Sequence, residues 1–383
     1  MTTVTTPAGT NRRLASDLVV CSLEAWDEVW RRNQFLVDGL LHRNPGLQAL
    51  FVEPPHDLLR GSGRGQRPAG GRLRTVGASG RLWAMRPLKL LPRRAGPWTD
   101  RSLRAQVART ARRLGLSRPV LWINDVTYGP LIARTGWPSL YDVTDDWLLA
   151  SAPPRELARL RRLEALTLWA ADEVVVCSPA LAGTRGAKRR VTLIPNGVDV
   201  EHFTRRQAPP ADLPRSPVAV YVGTLHDERI DVDLVVELAC VRPELQIAMV
   251  GPDALSARSR NRLLACPTVT LLGPRAYVSV PGYLQHADVI IVPHLVTPFT
   301  GSLDPIKSYE CLAVGRPTVA TEVAGFRDHG DAVVAVPRGD FVNCVARRLD
   351  DRPGPARQPL ASAGDHDWEA RCAAFEETLL RLA

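Results

Sequence analysis

Lys307 and Glu310 stand three residues apart in "GSLDPIKSYECLAVGRPTVAT" (301–321), a stretch otherwise rich in apolar residues. The lysine brings a full positive charge, and the glutamate can accept hydrogen bonds from two neighbouring hydroxyls. Asp304 followed by Pro305 reads as a helix start, with Asp as N-cap and Pro in the first turn. Gly315 then closes a helix predicted over 305–314. The preceding "TPFTGS" (297–302) delivers a small-residue loop to that start. Free amides and the positive dipole end of such a terminus suit a phosphate. The amides of Gly301 and Ser302 and the Lys307 ammonium are therefore candidate phosphate ligands, and Glu310 a candidate ribose ligand. The competing reading is a surface ion pair worth a few tenths of a kcal/mol.

Two further stretches carry chemistry-bearing residues at the ends of predicted strands. "SLEAWDE" (22–28) and "TDDW" (144–147) both leave the carboxyl end of a strand. Asp145 is a candidate polar partner or base for a reacting hydroxyl, or else a helix cap before "DWLLA". Trp26 and Trp147 are large enough to stack on a sugar ring or simply to pack. Asn196 and Gly197 read as a tight turn, and His226 and His294 as incidental loop residues.

The elements that must position these residues are legible as short apolar runs separated by helical segments, the pattern of parallel sheets with crossover helices. In the first half the runs are 17–23, 49–53, 119–124, 139–145, 173–178 and 191–196. In the second they are 218–223, 246–251, 269–273, 287–293, 316–321 and 332–337. Their near-continuous Val, Ile and Leu content requires cover on both faces. A helix over 27–41 aligns Val29, Leu36, Val37, Leu40 and Leu41 on one face. The Pro- and Arg-rich 205–217 reads as a linker, which divides the chain into 1–204 and 218–366, with a terminal helix in 367–383. Residues 60–80 read as an exposed loop, and their "GSGRGQ" lacks the third glycine and following helix of a dinucleotide fingerprint. Two doubly wound sheets leave a deep cleft between their carboxyl ends, where ligands bind.

Composition narrows the function classes. Of 383 residues, 45% are hydrophobic and 23% charged, which are globular values. No run is long enough for a transmembrane helix, and the start "MTTVTTPAGTNRR" has no apolar core of a secretion signal, so a cytoplasmic protein is expected. Seven scattered cysteines show no metal-ligand spacing and read as reduced core residues. The net charge of +9 is uneven: residues 1–200 hold 30 Lys+Arg against 17 Asp+Glu, or +13, and the rest hold 19 against 23, or −4. A basic first half suits an anionic partner, which includes the inner face of a membrane near "RLWAMRPLKLLPRR" (81–94). The dispersed arginines, without any nucleic-acid motif, argue against nucleic acid.

Several of these segments together resemble family 4 glycosyltransferases of the GT-B type. The helix "DPIKSYECLAVGRPTVAT" is similar to the family's donor-nucleotide segment, and "VTLIPNGVDVEHF" (191–203) to its entry into the second domain. "YVGTLHDERIDVDLVVELACVRPELQIAMVGP" (221–252), "YLQHADVIIVP" (283–293) and "DWEARCAAFEETLL" (367–380) also fit, and the likeness spans nearly all of 119–380. "WDEVWRRNQ" (26–34) and "YDVTDDW" (141–147) resemble a bacterial subgroup that builds envelope polysaccharides. The resemblance implies two Rossmann-like domains, a nucleotide-diphosphate sugar as donor, retention of anomeric configuration and no metal or other cofactor. It places Gly223, Thr224, Gly301, Ser302, Asp304 and Glu310 at the nucleotide, with Lys307 and Arg229 at the diphosphate. For Arg229 the alternative is pairing with Glu228 or Asp231. The family's paired glutamates lie eight positions apart; Glu310 matches the second, while the first falls on Ser302. The acceptor is expected in the first half and could be a saccharide, a lipid-linked glycan or a small molecule. The competing functions are an epimerase or phosphorylase on the same architecture, and a sugar-nucleotide binder without turnover.

Overall fold

The computed structural model describes residues 14, 16–57, 73–92, 96–327, 333–351 and 361–382. In the first half the strands are β1 (Leu18–Cys21), β2 (Ala49–Val52), β3 (His56–Asp57), β4 (Arg74–Val76), β5 (Leu82–Met85), β6 (Leu88–Lys89), β7 (Val120–Ile123), β8 (Ser139–Val143), β9 (Glu173–Val176) and β10 (Thr192–Leu193). Eight of them form a sheet in the order β10-β9-β8-β7-β1-β2-β5-β4, parallel except for β4 against β5; β3 and β6 pair separately. The second half holds β11 (Val218–Val222), β12 (Gln246–Val250), β13 (Val269–Gly273), β14 (Val289–Val292), β15 (Thr318–Thr321) and β16 (Val333–Val336) in a parallel sheet ordered β13-β12-β11-β14-β15-β16. Two doubly wound α/β sheets are therefore present, as expected.

Period-2 geometry explains why most strand positions are apolar on both faces. Along β1, Val19 and Cys21 enter one packed layer while Leu18 and Val20 enter the opposite one. Along β11, Ala219 and Tyr221 face one layer, and Val218 and Val220 the other. Each fully buried Val or Leu removes enough surface from water to contribute about 1.5–3 kcal/mol. The Trp368–Leu380 helix puts Trp368, Cys372, Phe375 and Leu379 into the layer beneath β1 and β2. It lies on the Arg32–Arg43 helix, where a Cβ on Gly39 would stand 2.4 Å from the Cys372 sulfur. Among the described residues no helix is long and apolar enough to cross a membrane.

Three local expectations are corrected. The first helix begins at Arg32, not 27, because the chain before it is held in a non-helical path. The Trp26 amide donates to Glu53 at 2.9 Å, and the Val29 amide donates to Asp27 at 2.9 Å. The 60–80 loop is partly strand, since Arg74–Val76 pairs with β5; 60–72, including "GSGRGQ", lie outside the described residues. Gly197 has no left-handed φ and instead yields space: a Cβ there would lie 2.8 Å from the His366 carbonyl.

Candidate functional site

A cleft of about 300 Å³ lies between the two sheets and is walled by both halves. Glu24 and Asp145 enter it from the ends of β1 and β8, and Gly223, Thr224 and His294 from the ends of β11 and β14. The Ile306–Val314 helix adds Lys307 and Glu310, and the loop before the Val232–Val241 helix adds Arg229.

Lys307 is fixed by an unusual set of neighbours. Its Nζ donates to the Tyr221 hydroxyl at 3.2 Å and lies 4.4 Å from the ring centroid. The same hydroxyl is 3.2 Å from Nε2 of His294. Burial holds the His294 pKa well below its ordinary value, and the positive charges of Lys307 and Arg229 act in the same direction. A neutral imidazole can accept the tyrosine proton, leaving the phenolic oxygen's lone pairs for the ammonium. His294, incidental in the sequence, is thus the third member of a hydrogen-bonded chain; His226 does not line the cleft. Gly223 makes room for the lysine. Its φ is +145°, and a Cβ would meet Nζ at 2.2 Å and the Tyr221 hydroxyl at 3.1 Å.

Glu310 projects into the cleft one turn further along. Burial pushes its pKa up to about 7, against the pull of Lys307, and among the described residues no hydrogen bond or ion pair engages its carboxylate. Arg229 sits 5.7 Å over the Phe299 ring and makes no ion pair among the described residues. Its expected alternative partner Asp231 caps the following helix at the Leu234 amide (2.9 Å) and pairs with Arg338 (2.7 Å). The arginine charge instead opposes the upward shifts of Asp145 and Glu24, both of which originate in burial. Glu24 reaches about 7 and was not singled out in the sequence; the only signal was its place after the first strand.

Asp304, Gly301 and Ser302 depart from their sequence assignments. The helix starts at Ile306 with Pro305 before it, and Asp304 caps nothing. Its carboxylate accepts the Asn196 amide at 2.6 Å and the Tyr309 hydroxyl at 2.7 Å, while its carbonyl accepts the Asn196 side-chain amide. Asp304 lines the cleft, yet its oxygens are spent tying the second half to the segment after β10. Asn196, read as a turn residue, is the hub of that tie. It also accepts from Arg32 at 3.2 Å, and Arg32 is paired with Asp142 at 3.1 Å. The Gly301 and Ser302 amides donate to the carbonyls of Thr297 (2.8 Å) and Phe299 (3.0 Å), so the 3-10 turn at Thr300–Ser302 consumes the donors expected to face a phosphate. Neither residue lines the cleft. The Ser302 hydroxyl turns inward to the Phe299 carbonyl (2.7 Å), and its carbonyl accepts from Ser178 of the first half (2.7 Å).

On the first-half wall, Asp145 is followed by turns and coil through 153 rather than by a helix start, so the capping alternative is excluded; its neighbour Asp146 is consumed by Arg185, which also holds Glu164. Trp26 packs edge-on against Phe51 (5.2 Å) and does not line the cleft. Trp147, 41% exposed, lies 5.7 Å from Phe299 and lines a neighbouring cavity. The aromatics that enter the cleft include Trp30, stacked at 6.4 Å and 24° on Tyr277 of the other half, which also lines it.

With this geometry in hand, solved structures identify the architecture. Sucrose-phosphate synthase of Thermosynechococcus elongatus aligns over 96% of this chain and 99% of its own, with a TM-score of 0.74 at 20% identity. The chain has the GT-B fold. HepE of Anabaena, solved with UDP and glucose, aligns over 95% and 99% with a TM-score of 0.66 at 16% identity. Residues 216–351, in the second half, match the family model described as Glycosyl transferases group 1. TuaH of Bacillus subtilis (strain 168), named as a teichuronic acid biosynthesis glycosyltransferase, is 27% identical over 222 residues, which is 54% of this chain and 56% of TuaH. The chain thus spans about half the length of that relative.

Proposed function

We propose that the chain is a glycosyltransferase that moves a sugar from a nucleotide-diphosphate donor to a hydroxyl acceptor, with retention and without a metal. The observation that carries this reading is the unpaired Glu310 carboxylate one turn from Lys307, opposite Arg229, in a GT-B cleft. Bound UDP in the Anabaena neighbour and the name of the Bacillus relative support it.

In this reading Glu310 accepts hydrogen bonds from the ribose hydroxyls, and Gly223 and Thr224 let the nucleotide approach the end of β11. As the bond from the anomeric carbon to the diphosphate oxygen breaks, its electron pair goes to the leaving diphosphate. Lys307 and Arg229 stabilise that growing charge, fixed in place before the reaction begins. The acceptor oxygen forms the new bond to the anomeric carbon, and its proton passes to the departing phosphate oxygen. Asp145 orients the acceptor hydroxyl on the first-half side. With the Gly301 and Ser302 amides spent, the two side-chain cations and the first amides of the Ile306–Val314 helix carry the diphosphate.

A thermal-stabilisation screen of UDP-, GDP- and dTDP-sugars tests the proposal, followed by assay of nucleotide release. Stabilisation with slow release of nucleotide supports it. Stabilisation without any release would favour a binder lacking turnover, and no stabilisation would remove the donor site.

A further inference from the structure

A second cavity of about 230 Å³ opens beside the cleft, within the first half, and Asn124, Thr144 and Asp145 line both. At roughly 30 Å³ per liquid water it has room for about eight waters, or for a body of one to two fused rings. Its walls include Leu23, Val126, Val143, Trp147, Leu148 and Leu160.

The charged groups on this wall are engaged with one another. Arg159 pairs with Glu156 at 2.7 Å and with Asp100 at 3.1 Å. Glu164 is bound by Arg185 at 2.6 Å, and Asp125 accepts the Thr127 amide at 2.8 Å. Asn124 at the mouth is equally committed. Its oxygen accepts from Leu23 (3.2 Å) and Asn33 (3.0 Å), and its nitrogen donates to the Asp142 carbonyl and the Thr144 hydroxyl, both at 3.1 Å. Asp145 is hydrogen-bonded by the Thr144 side chain but makes no ion pair among the described residues, and its carboxylate, with lone pairs to spare, stands where the cavity meets the cleft. With the other side-chain charges already paired, a charged or many-hydroxyl ligand would regain fewer hydrogen bonds here than it gives up in water. An apolar body loses only unfavourable hydration.

We infer that this cavity is the acceptor site, and that it takes an uncharged, largely apolar ring system whose single hydroxyl reaches Asp145 at the mouth of the cleft. The inference rests on the glycosyl-transfer reading for the word acceptor, and the transfer step is the one written above. It chooses a small apolar alcohol or phenol over a free sugar.

Calorimetric titration of the full chain with 4-methylumbelliferone and, separately, with glucose tests it. Leu148→Glu places a charge in the wall and Leu160→Trp fills the space; both positions are only partly buried, so folding should tolerate them. The expected result is binding of 4-methylumbelliferone to the wild type and at least about tenfold weaker binding by each variant, with UDP affinity unchanged within about twofold. Tighter binding of glucose than of 4-methylumbelliferone, or variants that bind the phenol like the wild type, would overturn it. If UDP, GDP and dTDP all fail to bind, the glycosyl-transfer reading falls. The phenol titration then still decides the ligand class of the cavity.

Discussion

Replacing Gly223 by Ala tests how Lys307 is held. The added Cβ would lie 2.2 Å from Nζ, whereas an ordinary contact is about 3.5 Å, so the ammonium must retreat by about 1.3 Å. Because Nζ ends a flexible side chain, the lysine gives way rather than the backbone, and the move disturbs its 3.2 Å bond to the Tyr221 hydroxyl. That anchor, a hydrogen bond from a charged group, is worth about 1.5–3 kcal/mol, so its loss should lower turnover by at most about 150-fold through the displaced lysine. The φ of +145° adds about 1–3 kcal/mol of backbone strain, read as a lowered melting temperature. The double variant separates the two effects. In a Lys307→Ala background the clash with Nζ is absent, so Gly223→Ala should cost stability and lower turnover by a smaller factor than in the wild type, the remainder reflecting the nucleotide's own approach to this position. Steady-state kinetics on the four proteins, with urea unfolding as the control, measures both. Additive losses in turnover would refute the claim that Gly223 acts by admitting the lysine.

Other outcomes follow from the same geometry. Glu310→Gln should weaken nucleotide binding by about 1.5–3 kcal/mol by calorimetry; unchanged affinity would remove Glu310 from the site. The Glu310 pKa is raised from 4.5 to about 7, so its contribution to stability is full below about 4.5 and is lost as pH rises through about 7. In urea unfolding, Glu310→Gln should therefore gain on the ligand-free wild type between about pH 5 and pH 8, while wild-type nucleotide affinity falls as pH drops through about 7. Tyr221→Phe should lower turnover more than nucleotide affinity, because it frees Lys307 from its anchor and leaves His294 Nε2 without its donor. Arg32→Ala leaves Asp142 buried and unpaired and should destabilise by about 3–5 kcal/mol in urea unfolding.

The two sheets were legible because a strand covered on both faces is largely apolar, and all twelve runs contain strands. Leu82–Met85 escaped notice because four residues between arginines read as a basic surface segment; Arg74–Val76, an edge strand, is largely exposed. Lys307, Glu310 and Asp145, read from a helix start and a strand end, line the cleft, as do Arg229, Gly223 and Thr224, which the family resemblance placed there. Asp304 was misjudged because Asp-Pro carries a local signal for capping, whereas its partner Asn196 lies 108 residues away and leaves no trace in spacing. The Gly301 and Ser302 amides failed for a related reason: sequence shows a small-residue loop but not that its donors close a 3-10 turn. His294 became visible only through Tyr221 and Lys307, three residues from three separate elements.

The central claim is that this cleft holds a nucleoside diphosphate through Glu310, Lys307 and Arg229. Calorimetric titration of the wild type with UDP, GDP and dTDP tests it most directly. The account expects at least one to bind with a Kd below about 1 mM, equivalent to roughly −4 kcal/mol, with that affinity reduced in Glu310→Gln. Failure of all three at that concentration, or binding that Glu310→Gln leaves intact, would contradict it.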